Sequence, residues 1–123
     1  MTQKTILIVE DDPVARHVSQ TALKGAGFAT IVAGDALGAL AQTQRNHPDL
    51  IILDLGLPAG GGLAFLQRKS AIPAISLIPV LVISGQERVS AEGPAIESGA
   101  SAYLQKPAMP EEIVAKVREL LGT

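Results

Sequence analysis

The sequence predicts an α/β domain built on a parallel five-stranded sheet with helices on both faces. Short apolar runs alternate with segments of helical spacing five times over, which implies parallel strands joined by crossover helices. The run Leu50-Ile51-Ile52-Leu53 is apolar throughout, as befits a strand covered on both faces. Four runs also end in a polar side chain: Glu10-Asp11-Asp12 after Ile6-Leu7-Ile8-Val9, Asp54 after Leu53, Ser84 after Ile83, and Lys106 shortly after Leu104. In a parallel sheet these ends meet at one carboxyl edge, where open α/β sheets place their sites.

Residues 5–10 read as the first strand, apolar and β-branched. Asp12-Pro13 opens the first helix, since Asp caps free N–H groups and Pro tolerates the first helical position. Val14, Val18, Ala22 and Leu23 keep helical spacing, and Gly25-Ala26-Gly27 ends the segment. Residues 28–33 form a second short strand. Asp35 caps a second helix through Leu37, Leu40 and Ala41, which stops at Asn46-His47-Pro48. The third strand covers residues 49–54. Residues 56–62 read as a loop, 63–69 as the third helix, and 70–79 as an irregular connection with two prolines. The fourth strand is 80–84. A fourth helix falls within 87–98, interrupted by Gly93-Pro94. The fifth strand is 100–105. The last helix, 110–121, starts on Pro110 and buries Ile113, Val114, Val117, Leu120 and Leu121.

The chain has 123 residues, the size of one domain, and the reading is a single domain over 1–123. Apolar residues make up 47% and aromatic residues 2%, so the core is ample and aliphatic. A net charge of −2 argues against a nucleic-acid module, which carries a basic stripe. Without cysteine there is neither a disulfide framework nor a cysteine-based zinc site. Met1 starts a short polar segment rather than a signal peptide, and no apolar stretch reaches the roughly 18–20 residues needed to span a bilayer. These features fit a cytoplasmic protein with no membrane partner.

The acidic run Glu10-Asp11-Asp12 is the metal candidate. A hard cation such as Mg²⁺ takes oxygen ligands, usually one or two carboxylates with water and phosphate. Asp12 has a second reading, as the helix cap alone. Asp54 loses hydration at the end of an apolar strand and needs compensation from a metal or from Lys106. A carboxylate so placed can act as a nucleophile toward phosphorus and form an acyl phosphate. Ser84 offers a hydroxyl to a phosphoryl oxygen, and Lys106 a compact cation. A cis bond at Lys106-Pro107 would turn the chain and aim the lysine inward. Gly60-Gly61-Gly62 lacks the following Lys-Ser/Thr of a P-loop, and no G-x-G-x-x-G follows the first strand.

These residues resemble the receiver domain of two-component response regulators, the CheY-like superfamily. The matching pieces are Ile8-Val9-Glu10-Asp11-Asp12, Leu53-Asp54-Leu55-Gly56-Leu57-Pro58, Ile83-Ser84-Gly85 and the stretch from Gly99 to Pro107. The resemblance implies a flavodoxin-like (βα)5 fold with strand order 2-1-3-4-5. It implies that Asp54 accepts a phosphoryl group from a sensor histidine kinase or a histidine phosphotransfer protein, and that a downstream effector reads the result. It implies Mg²⁺ held by Asp11, Asp12, Asp54 and the backbone carbonyl of Gly56. Ser84 matches the family's hydroxyl, Lys106 its phosphate-binding lysine and Tyr103 its aromatic switch residue. Gly56 and Gln86 match the positions flanking the path of the attacking water.

The sequence departs from the family at several points. Ala59-Gly60-Gly61-Gly62 stands where Asp-Gly is usual, which predicts a loose loop. Gly85 stands for Ala, Ala108 for an aromatic residue, and Gly93-Pro94 falls within the fourth helix. Two other readings of the chain stay open at this stage: a pseudo-receiver that serves only as an interaction module, and a Mg²⁺-dependent phosphohydrolase with Asp54 as nucleophile.

Overall fold

The computed structural model describes residues 3–123. Met1 and Thr2, where the polar leading segment begins, lie outside the described residues. Five strands, β1 (Thr5–Val9), β2 (Ala29–Ala33), β3 (Leu50–Asp54), β4 (Val80–Ser84) and β5 (Ala102–Gln105), form one sheet in the order β2-β1-β3-β4-β5. All pairings are parallel. Five helices connect and follow them: α1 (Pro13–Gly25), α2 (Ala36–Asn46), α3 (Gly61–Ser70), α4 (Arg88–Glu97) and α5 (Pro110–Leu121). This is the flavodoxin-like arrangement that the sequence implies.

The period-two alternation of the strands divides the core into two layers. Ile6, Ile8, Ile52, Leu81 and Ile83 pack with Leu23 of α1 and with Ile113 and Val117 of α5. Leu7, Val9, Ile51, Leu53, Val80 and Val82 pack on the other face with Ala39 of α2, Phe65 and Leu66 of α3, and Ala91 and Ala95 of α4. Every residue of β3 and β4 is buried, whereas β2 and β5 are only partly covered at the edges. Asp49 falls just outside β3, and its Oδ2 accepts from the Thr5 amide at 2.7 Å, tying the start of β1 to that of β3.

Two segments differ from the sequence reading. Residues 61–62 are not loop: a 3-10 turn at Pro58–Gly60 leads directly into α3, which begins at Gly61. The reason is close packing. A Cβ on Gly62 would lie 2.7 Å from Leu55 Cα and 2.8 Å from the Asp54 carbonyl oxygen, so only glycine lets α3 press on the loop after β3. The turn bends through left-handed residues, Ala59 at φ 57° and Gly60 at φ 69°.

Gly93-Pro94 does not interrupt the fourth helix. The fourth helix runs unbroken from Arg88 to Glu97 with Pro94 inside it. Proline lacks the N–H that would bond the Ser90 carbonyl. Burial of Ala91 and Ala95 against the sheet outweighs that local cost.

The connection at residues 70–79 is organised by a buried lysine that the sequence reading passed over as a helix end. Lys69 is 1% exposed, and its ammonium donates to the carbonyls of Ser76, at 2.7 Å, and Ile78. Loss of hydration lowers its pKa.

Gly62→Ala is expected to destabilise the fold by about 1–3 kcal/mol, because the new methyl meets backbone that cannot step aside. Gly61→Ala, whose Cβ meets nothing closer than 3.4 Å, should be neutral or stabilising by up to about 1 kcal/mol through helix propensity. Urea unfolding of the two variants checks the contrast. Equal stability would discount the packing argument.

Candidate functional site

The carboxyl edge gathers side chains because the strands are in register. β1 and β3 pair Ile8 with Ile52 and Val9 with Leu53. One further step sets Glu10 opposite Asp54, on the same sheet face as the two isoleucines. Each of the two residues is 7% exposed, so two carboxylates face each other in a nearly dry place. Lys106 lies beyond the end of β5, and its Nζ stands 3.6 Å from Glu10 Oε2 and 3.6 Å from Asp54 Oδ2. The Lys106-Pro107 peptide is cis.

Asp54 is also held by its own loop, since its Oδ1 accepts from the Gly56 amide at 2.9 Å. Arg16 of α1 donates to the Glu10 carbonyl at 3.1 Å and fixes the turn after β1.

Glu10, Asp11 and Asp54 bring one carboxylate oxygen each within 4.8 Å of one another. The cluster shares Asp11 and Asp54 with the ligand set that the family resemblance implies and adds Glu10 of the acidic run. Asp12 lines the same cleft, but its carboxylate caps α1, accepting from Val14 at 3.2 Å and Ala15 at 3.4 Å. Glu10, the first residue of the acidic run, is the buried member of that run in the cluster. The signal for Glu10 was in the sequence: it follows Ile8 at the strand period of two, as Asp54 follows Ile52.

Three carboxylates against one ammonium leave the site short of positive charge. Burial raises the Glu10 carboxyl to about 7, with the hydrogen bond and charge of Asp54 and the charge of Asp11 adding to the effect and Lys106 opposing it. An all-oxygen, under-neutralised cluster with one exposed member, Asp11, fits a hard divalent cation.

Ser84 is buried at the end of β4. Its Oγ accepts from the Gln86 amide at 3.1 Å. Tyr103 is 1% exposed and donates its hydroxyl to the Gln86 carbonyl at 2.8 Å. Gln86 therefore links Ser84 to Tyr103 through its own backbone. Arg88 adds a second tie between this loop and β5, its amide bonding Gln105 Oε1 at 3.1 Å and its guanidinium the Tyr103 carbonyl at 3.0 Å. Gly56 and Gln86 are both exposed at the rim of the edge. Of the residues expected at the site, Asp11, Asp54, Gly56, Ser84, Gln86 and Lys106 thus lie at the carboxyl edge. Tyr103 is buried beneath them.

The family model "Response regulator receiver domain" matches residues 6–118. This chain belongs to the response regulator receiver domain family. It is 35% identical over 119 residues to the DNA-binding response regulator MtrA of Mycolicibacterium smegmatis, an alignment covering 97% of this chain and 51% of MtrA. It is 38% identical over 116 residues to the KDP operon transcriptional regulatory protein KdpE of Escherichia coli, covering 94% of this chain and 50% of KdpE. The chain therefore spans about half the length of these curated relatives. Among solved structures it resembles the chemotaxis response regulator CheY4 of Vibrio cholerae, with 26% identity and a TM-score of 0.91 over 98% of this chain and 100% of CheY4. A Francisella response regulator receiver domain matches with 25% identity and a TM-score of 0.89, over 98% of each chain. Among the described residues, no helix of this receiver domain is long and apolar enough to cross a membrane.

The raised Glu10 value sets a pH dependence in metal-free protein. The folded value, about 7, lies above the ordinary 4.5, so the folded state holds the proton more tightly than the unfolded chain. The stabilisation is complete below pH 4.5 and is lost as pH rises through about 7. The stability difference between the parent and Glu10→Gln should change across that window when unfolding is followed at several pH values. A difference constant with pH would refute the assignment.

Proposed function

We propose that Asp54 is a phosphoacceptor, taking a phosphoryl group from a phosphohistidine of a sensor histidine kinase or a histidine phosphotransfer protein. The observation that carries this reading is the pairing of a nearly buried Asp54 with Glu10 and Lys106 at the carboxyl edge of a receiver fold. An Asp54 carboxylate oxygen attacks phosphorus. The phosphorus–nitrogen bond of the donor breaks, and its electron pair stays on the imidazole nitrogen.

Glu10, Asp11 and Asp54, with the Gly56 carbonyl, would hold Mg²⁺. The cation supplies screening between the anionic carboxylate and the anionic phosphoryl oxygens. Lys106 lies close enough to pair with the transferred group once Asp54 carries it as an acyl phosphate. Ser84 would give up its bond from the Gln86 amide and turn its hydroxyl to a phosphoryl oxygen. Because the Gln86 carbonyl holds Tyr103, that movement would reach the α4–β5 surface, where a downstream effector reads it. The phosphorylation is the domain's own reaction rather than turnover of an outside substrate. The net charge of −2 supports a protein rather than nucleic acid as the direct partner of this stretch, and the cytoplasm is the compartment that fits such an exchange.

Incubation with Mg²⁺ and acetyl phosphate, followed by intact mass, should show the gain of one phosphoryl group. Asp54→Ala should abolish it. No gain in the parent would favour an interaction module with no phosphoryl chemistry, and continuous hydrolysis of the donor without a trapped adduct would favour a phosphatase.

The lifetime of the adduct should depend on positions 56 and 86. A Cβ at Gly56 would lie 3.2 Å from Asp54 Oδ1 and 3.5 Å from Oδ2, so any side chain there reaches the bond that water attacks. Gly56→Asn and Gln86→Glu are expected to alter the dephosphorylation rate while both still accept phosphate. Decay rates equal to the parent in both would sink this assignment.

A further inference from the structure

The fourth helix starts without a cap of its own. The Glu87 side chain bonds none of the free amides of its first turn, and that turn holds no acidic residue. A cation at a helix N-terminus is opposed by the helix dipole, yet Arg88 is the first residue of α4. What the helix lacks, β5 supplies. The side-chain oxygen of Gln105 accepts from the Arg88 amide at 3.1 Å. The Arg88 guanidinium reaches back and donates to the Tyr103 carbonyl at 3.0 Å. Glu92, one turn along, accepts from Arg88 Nε at 3.1 Å and steers the side chain.

Tyr103 is thereby held at both ends by one junction. Its hydroxyl donates to the Gln86 carbonyl at 2.8 Å, and its main-chain carbonyl accepts from Arg88, two residues further along the same loop-to-helix segment. The ring is 1% exposed. For it to swing outward, the phenol must leave Gln86. The loop can move aside for that only when the start of α4 parts from β5.

We propose that Arg88 is a positioning residue for the switch: with Gln105 it latches the start of α4 to β5 and keeps Tyr103 turned inward before any phosphoryl group arrives. Naming Tyr103 as the switch rests on the proposed receiver function. Phosphorylation then acts on a loop that is already docked. What passes outward is a movement of the Gln86 backbone rather than a turn of the ring, and the resting state of the α4–β5 surface is set by Arg88.

Tyr103 is the chain's one tyrosine, and there is no tryptophan, so intrinsic fluorescence reports this ring alone. The test is acrylamide quenching of that fluorescence in the folded, unphosphorylated chain. The parent should be weakly quenched. Arg88→Ala, which removes the guanidinium bond, should raise the quenching constant about threefold or more. Gln105→Ala removes the other half of the latch and serves as the second test should the first variant fail to fold. Val89→Gly lies in the same turn, at a side chain 97% exposed, and weakens the helix without touching the latch. It should leave Tyr103 as protected as in the parent. The proposal falls if the parent ring is freely quenched, or if the folded Arg88→Ala and Gln105→Ala chains protect it as the parent does. It falls equally if Val89→Gly exposes the ring as much as Arg88→Ala, since helix stability rather than the latch would then govern it. The series contains no phosphoryl donor, whereas the phosphoacceptor reading is tested by mass gain, so either can fail while the other stands.

Discussion

Two carboxylates facing each other across neighbouring strands, with one ammonium between them, is the arrangement on which the site depends. Glu10 and Asp54 are both nearly buried, and Lys106 is equidistant from the two at 3.6 Å. Buried like charges repel, and desolvation makes each ionised form costly. Glu10 responds by holding its proton to higher pH. The edge is therefore preloaded: any incoming cation, proton or metal relieves an electrostatic tension that the folded scaffold maintains. That tension persists because the parallel pairing of β1 with β3 holds the two strand ends side by side.

The scaffold fixes this arrangement through register. β1 and β3 are adjacent and parallel, so residues that extend the same face of each arrive side by side. The close approach of α3 at Gly62 keeps the loop after Asp54 in place. On the far side of β4, a chain of contacts from Ser84 through the Gln86 backbone to Tyr103 runs down into the core. The site and the α4–β5 surface are thus joined by backbone and one phenol, not by a long relay of side chains.

The fold was legible in the sequence because strand and helix periods are strong and the strand ends are marked by polar residues. Asp54, Ser84 and Lys106 could be picked out because each is chemically out of keeping with the apolar run before it. Asp12 was harder to place because an aspartate before proline serves two physical roles, and its carboxylate caps α1. Glu10 was harder to single out because burial, which distinguishes it from its acidic neighbours, is a property of the assembled sheet. Gly61 and Gly62 read as flexible from composition. The close contact that makes Gly62 helical and necessary is with residues 54 and 55, and it exists only after α3 docks. Pro94 was read as an interruption for sound local reasons, and tertiary burial of Ala91 and Ala95 overrode them.

Lys69 turns the connection at residues 70–79 into something that can be watched. Its amine is sealed against solvent and clasped by two carbonyls of that connection. An acylating reagent reaches it only when the segment lifts away, while the exposed lysines react at once. The rate at which Lys69 is labelled is therefore a chemical clock for local opening of one flank of the sheet, readable residue by residue in a peptide digest and distinct from unfolding of the whole chain.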